Sequence, residues 1–206
     1  MEEQIMNMPA VALRGLTILP GMIAHFDISR ERSLRAVEEA MEQDQKIYLV
    51  TQRNVNSEDP TQEDLYQMGI VADIKQVVRL QNDVVRILVD GISRAALLGF
   101  TGNEKYLEAE ICYCDSNADS LPEDLREAML LGVREAFHRY AAVVGKISKE
   151  LIRQIDQYED LEKLIDYVTN NLPVSYELKQ QVLEAEDIND LSLIHISEPT
   201  RLRCIS

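Results

Sequence analysis

Apolar and polar residues alternate along the chain in two textures. From residue 9 to residue 114 the apolar residues come in short runs separated by Gly, Pro, Asn and Asp. From residue 120 to residue 190 they recur every three or four positions. The first texture predicts strands and turns, the second helices. The runs "AVALRGLTIL" and "GMIAHFDI" flank a Leu19-Pro20-Gly21 corner, where Pro presets φ and Gly supplies conformational freedom. A helix follows, with Ser29 as the expected cap and Leu34, Val37 and Met41 on its buried face. "KIYLVTQ" predicts a third strand. "DPTQEDLYQMG" predicts a short helical turn, opened by Thr61 with Asp64 three residues on and closed by Gly69. "IVADIKQVVRL" and "VVRILVDG", joined by Asn82-Asp83, predict a hairpin. "SRAALLGF" and "KYLEAEICY" complete the set; in the last, Leu107, Ala109, Ile111 and Tyr113 alternate with Glu108, Glu110 and Cys112. That many short strands with one real helix imply a small closed or nearly closed β-barrel over residues 1–114.

The polar stretch "DSNAD", Asp115 to Asp119, marks a linker. Beyond it, Ser120, Pro122 and Glu123 form a helix-start signature, and Leu125, Met129, Val133, Phe137 and Val144 are the expected apolar stripe. Gly145 allows a break. "SKELIRQI" and "DLEKLIDYVTNNL" are two further helices, the latter burying Leu161, Leu164, Ile165 and Val168. Pro173 ends it, and Ser175 opens a last helix through Leu178 and Val182. Residues 115–190 are therefore expected to form an α-helical bundle, and the fold class is α+β.

The chain has 206 residues, 46% apolar and 28% charged, with 36 acids against 21 bases and a net charge of −15. So acidic a surface disfavours nucleic acid, whose affinity comes from Lys and Arg neutralising phosphates. No apolar run reaches the roughly 20 residues of a membrane span, and the start "MEEQIMNMPA" lacks a signal peptide's basic and apolar regions. The reading is cytoplasmic, with no membrane partner.

Recognisable chemistry is missing. No phosphate-binding glycine loop, nucleophile elbow or paired metal-binding histidines occur. His25 and His138 read as half-exposed structural residues. Cys112 and Cys114 make a lone C-x-C in "LEAEICYCDS" without the further ligands zinc wants, and read as two small side chains on one strand face. Catalytic, cofactor and metal residues are accordingly expected to be none.

The tail "LSLIHISEPTRLRCIS" breaks the pattern before it. Leu191 to Arg201 resembles, residue for residue, a translated transposase-type sequencing adapter. Leu202 to Cys204 would span its variable index, and Ile205-Ser206 the constant bases after it. Residues 191–206 are therefore expected to be a non-native read-through, with the natural chain interrupted near Asp190, and His195 and Cys204 are set aside.

The stretch "VALRGLTILPGMIAHFDISRERSLRAVEEAM", with "IYLVTQRN", "DPTQEDLYQMGIVADIKQVVRLQNDVVRILVDGISRA" and "YLEAEI", resembles the N-terminal domain of bacterial Lon proteases. The likeness runs in order over residues 9 to 185; "ISRERS" departs from the commoner Gly-Arg-Glu helix start. The resemblance implies a PUA-like β-barrel followed by a helical bundle, the non-catalytic, client-engaging and oligomer-supporting front of a cytosolic ATP-dependent serine protease. It implies unfolded or damaged client proteins as partners and a hexamer for the full-length parent. ATP and magnesium are implied only for the ATPase module, which this chain lacks along with the Ser-Lys protease module. Client recognition requires accessible apolar side chains, and Leu19, Met22, Ile23, Met68 and Ile70 are the candidates, each with core packing as the competing reading. A stand-alone interaction adaptor is a second reading. RNA binding by the barrel is a third, which the acidic charge opposes.

If the tail is read-through, it carries no packing. A chain ending at Asp190 is expected to melt within about two degrees of the full chain in a calorimetric scan, and a larger fall would show that the tail packs.

Overall fold

The computed structural model describes residues 5–114, 122–145 and 147–185. The tail with His195 and Cys204, the linker and Ser120 lie outside them. Six strands and five helices are found, an α+β fold as expected. They divide into two compact units: residues up to the linker together with Val174–Glu184, and the helices between.

The first unit contains β1 (Ile5–Leu13), β2 (Ile23–Ile28), β3 (Lys46–Thr51), β4 (Met68–Arg79), β5 (Val85–Phe100) and β6 (Glu108–Tyr113). The sheet order is β2-β5-β4-β3-β1-β6, and β6 also pairs with β5. Five strands therefore close a ring, which removes the unpaired edges that invite aggregation. β2 stands outside the ring, paired with the first half of β5. Two runs read as separate strands are one: β5 passes through Gly91, its first half lying between β2 and β4 and its second between β4 and β6. β1 ends earlier than expected, because Gly15 turns into the left-handed region at φ 61°.

β3 explains why its sequence is a continuous apolar run. Ile47 and Leu49 join one buried cluster and Tyr48 and Val50 the other, so both faces are covered. The first cluster packs α1 (Glu31–Glu42) over Val11, Leu13, Ile47 and Leu49. The second draws on all five strands of the ring, with Met8, Val50, Val71, Leu97 and Ile111 among its members. Tyr48 donates from its hydroxyl to the Ala95 carbonyl at 3.1 Å, and burial pushes its phenol far above the ordinary range. A Cβ on Gly69 would lie 2.5 Å from the Tyr48 ring. Gly69 is thus a strand residue making room for Tyr48, not the end of a helical turn.

Helix α1 departs from expectation in detail. Its cap is Arg30, not Ser29, and the Arg30 guanidinium reaches Gln52 Oε1 and the Ser57 carbonyl, each at 3.0 Å. Its buried face is Ser33, Ala36, Val37 and Ala40, while Leu34 is half-buried and Met41 is 40% exposed. The small residues let the helix axis approach the strands closely. The 3-10 turn Gln62–Asp64 carries the expected capping box, with Thr61 N–H donating to Asp64 Oδ2 at 2.9 Å. In the hairpin, Asn82 and Asp83 both take positive φ, 59° and 57°, a conformation these two residue types tolerate.

The second unit holds α2 (Glu123–Val144), α3 (Lys149–Gln157) and α4 (Leu161–Asn171). Gly145 closes α2 at φ 65°, and Ser148 and Asp160 cap the next two helices. On α4 the expected residues Leu161, Leu164, Ile165 and Val168 are buried. On α2 the buried stripe is Leu130, Phe137 and Ala141. Met129 and Val133 are only partly buried, and Leu125 and Val144 are 41% and 42% exposed. The two outer positions lie on the solvent side of a long helix, so only its middle is covered.

Helix α5 (Tyr176–Glu184) was expected in the bundle but packs within the first unit. Val182 and Leu183 are buried there, and so is Gln180, at 1% exposure. Gln180 Nε2 donates to the Met68 carbonyl at 2.9 Å, and its Oε1 accepts from Thr17 Oγ1 at 3.2 Å. Thr17 in turn meets Thr51 Oγ1 at 2.9 Å, which donates to the Leu16 carbonyl. A buried network of this kind is costly to leave half satisfied. Gln180→Leu, which keeps the bulk and removes both bonds, is expected to destabilise the chain by about 1–3 kcal/mol in urea unfolding; no loss would show that the network is not holding the helix.

Candidate functional site

The corner between β1 and β2 is built from Leu19, Pro20, Gly21 and Met22. Met22 N–H donates to the Leu19 carbonyl at 3.1 Å. Pro20 and Gly21, the latter at φ 69°, occupy the two central positions, the arrangement of a type II turn. The turn rests on β5. Gly21 N–H donates to the Gly91 carbonyl at 2.8 Å, and Gly91 N–H to the Met22 carbonyl at 3.0 Å. A Cβ on Gly91 would lie 2.4 Å from the Leu19 carbonyl oxygen and 2.8 Å from Ile70 Cδ1. Only glycine lets the corner settle there.

This packing sorts the five expected residues. Leu19 and Ile70 are core, at 0% and 1% exposure, and they support the corner without reaching solvent. Met22 is half-buried against the α1-side cluster, with its sulfur 3.9 Å from Lys179 Nζ. Burial pushes the Lys179 ammonium below its ordinary range. Met68 is half-buried at the start of β4, its carbonyl bound to Gln180. Ile23 is 68% exposed. The structure adds Ile92, which falls between the predicted runs "VVRILVDG" and "SRAALLGF". It is the extra residue where the β4–β5 register shifts, and it is 47% exposed. A bulge re-aims a side chain away from the ladder, and no sequence pattern announces one. Ile23 and Ile92 are thus exposed next to the two residues, Met22 and Gly91, whose backbones are hydrogen-bonded to one another.

A second concavity was not foreseen: a cleft of about 930 Å³ whose walls include Arg53, Gln62, Leu65, Tyr66, Gln67 and Leu97. Leu97 N–H bonds the Gln67 carbonyl at 2.7 Å, and Gln62 Nε2 bonds the Leu98 carbonyl at 3.1 Å. Arg53 lies 4.6 Å over the Tyr66 ring and donates from Nε to the Leu65 carbonyl at 2.9 Å. The Arg53 and Gln62 side chains are thus engaged in holding the loop. Nothing in the local sequence joins Leu97 to the Thr61–Gln67 segment; only the pairing of β5 does.

The cleft wall includes Thr61, whose hydroxyl donates to Asp64 Oδ2 at 3.0 Å within the cap of the 3-10 turn. His25 is exposed on β2, and His138 bonds Asp156 Oδ1 at 2.8 Å in the helical unit. Among the described residues, no three His, Cys, Asp or Glu side chains are grouped to hold a metal ion, and no helix is long and apolar enough to cross a membrane.

Residues 7–193 match the model of the ATP-dependent protease La (LON) substrate-binding domain. The Lon protease of Lachnoclostridium phytofermentans is 36% identical over 188 residues, covering 91% of this chain and 23% of that protein. The Lon protease of Clostridioides difficile is 35% identical over 193 residues, covering 92% and 24%. The chain thus spans about a quarter of the length of the curated relatives it matches. The N-terminal domain of the Mycobacterium avium complex Lon protease has the same fold, with a TM-score of 0.75 at 18% identity, covering 93% of this chain and 96% of that one. The Lon N-terminal domain protein of Xanthomonas campestris gives 0.64 at 13%, covering 94% and 99%.

Gly91→Ala places a methyl group against the Leu19 carbonyl, so corner or strand must move. A loss of about 1–3 kcal/mol is expected in urea unfolding, with amide shifts concentrated at residues 19–23. A neutral substitution would show that the corner does not depend on this approach.

Proposed function

This chain belongs to the ATP-dependent protease La (LON) substrate-binding domain family, and from that premise we propose that it engages unfolded polypeptide through the apolar corner of Met22, Ile23 and Ile92. The observation that carries the reading is the exposure of Ile23 and Ile92 on either side of a turn fixed by glycine packing. Single exposed apolar residues are common on any protein. Two isoleucines on one rigid mount form a surface that pays little ordering entropy when a client covers it.

Burying one such side chain is worth about 1.5–3 kcal/mol. A contact of this size holds a client weakly and can release it, which suits a front end that passes polypeptide onward. Client handling, support of a homo-oligomer such as a hexamer, and a cytoplasmic setting belong to the longer protease whose start this chain resembles. ATP and magnesium belong to a module outside this chain, and nothing in the corner is built to hold them.

The test is fluorescence anisotropy with a fluorescein-labelled, reduced and carboxymethylated lactalbumin. Ile23→Asp combined with Ile92→Asp is expected to weaken binding about tenfold or more. Val78→Asp with Leu80→Asp, at the β4–β5 hairpin where both residues are exposed, is expected to change it less than about twofold. The reverse ranking would move the client surface to the hairpin.

A further inference from the structure

We propose that Met68, Cys112 and Cys114 form a soft-metal site that takes one Cu(I) ion. The proposal stands apart from client binding and uses the motif that the functional reading left unabsorbed.

Strand register brings the three residues together. Met68 on β4 is opposite Ala96 on β5, and Ala96 is opposite Cys112 on β6. Residues directly opposite on antiparallel strands present their side chains to one face. The middle of this row is alanine, so the residue between Met68 and Cys112 carries only a methyl group, and Cys112 Sγ lies 3.6 Å from the Tyr113 carbonyl oxygen. Cys114 lies two residues beyond Cys112, and its N–H donates to the Arg94 carbonyl at 3.1 Å, continuing the β5–β6 ladder. It therefore shares that face, and its Sγ lies 3.9 Å from Met68 Sδ. The intervening residues Ala95, Leu97 and Ile111 fill the buried cluster of the ring. The sulfur atoms are consequently on the outer face, Met68 and Cys112 half-buried and Cys114 exposed.

The chemistry follows from the spacing. Two cysteines at i and i+2 on an extended strand have Cα atoms about 6.7 Å apart and parallel Cβ bonds. A disulfide wants its Cβ atoms about 3.5–4.5 Å apart, so direct oxidation would have to bend β6. A bridging ion needs no such bend. Two sulfur ligands about 2.3 Å from one trigonal centre are about 4.0 Å apart, close to the Met68–Cys114 separation of 3.9 Å. Two thiols and a thioether are a soft ligand set that rejects the hard cations, and three donors fall one short of the four that structural zinc sites take, which leaves Cu(I). Binding converts both thiols to thiolates: two R–SH, one thioether and Cu(I) give a three-coordinate complex of net charge −1 and release two protons. No electron is transferred. Met68 is held in place for this by α5, because Gln180 fixes its carbonyl.

The test is an anaerobic titration of Cu(I) against bicinchoninate with the full chain carrying Cys204→Ser, which removes the third cysteine. The expected result is one Cu(I) per chain and about two protons released per ion. Cys112→Ser and Cys114→Ser should each weaken binding about a hundredfold, and Met68→Leu about tenfold. Melting curves of the copper-free variants, expected to overlay the parent, separate loss of ligand from loss of fold. Failure to bind copper would overturn the proposal. So would cysteine variants that keep their affinity within about twofold, or a Met68→Leu chain that binds as tightly as the parent.

Discussion

The Leu19 carbonyl lies against the α-carbon of Gly91, where a side chain would put a carbon 2.4 Å from the oxygen. Gly91 also divides the 16-residue β5 into a half that pairs with β2 and a half that pairs with β6. Because one strand serves both arrangements, the ring can close while β2 still covers part of the α1-side core through Ile28. The same contact seats the Pro20-Gly21 turn on β5. Ring closure, the position of β2 and the exposure of Ile23 therefore share one steric condition.

Period and turn chemistry made much of this legible. The alternation of Ala109 and Ile111 with Glu110, the cap box at Thr61 and Asp64, the break at Gly145 and the buried face of α4 could all be read locally, because each depends on residues within one turn or one strand. The resemblance to Lon N-terminal domains rested on those same local features in order. What failed depended on distant partners. Gly69 reads as a terminator because glycine usually ends a helical turn, yet it is a strand residue emptied for Tyr48. Gly91 reads as the end of a strand for the same reason. Met41 and Val144 sit at helical spacing from buried neighbours but at helix ends that nothing covers.

The candidate site was half legible. Of the residues named at the corner and the barrel edge, Ile23 is exposed, whereas the fold buries Leu19 and Ile70 as support. Sequence distinguishes apolar from polar; it does not distinguish the two sides of a corner. Ile92 was missed because a bulge is a register event between strands. Helix α5 was placed with its sequence neighbours. Its attachment to the first unit runs through Gln180, a polar residue whose burial is stable only because Thr17 and the Met68 carbonyl meet it. A buried glutamine looks like any surface glutamine until its partners are known.

The central claim is that a glycine-seated corner turns apolar side chains outward to meet unfolded polypeptide. The most direct measurement is a two-dimensional amide NMR titration of the chain with an unlabelled, permanently unfolded client. The account predicts shifts and broadening centred on Met22, Ile23 and Ile92, fading across β2 and the first half of β5. Perturbations confined to α2, α3 and α4, with the corner amides unmoved, would contradict it.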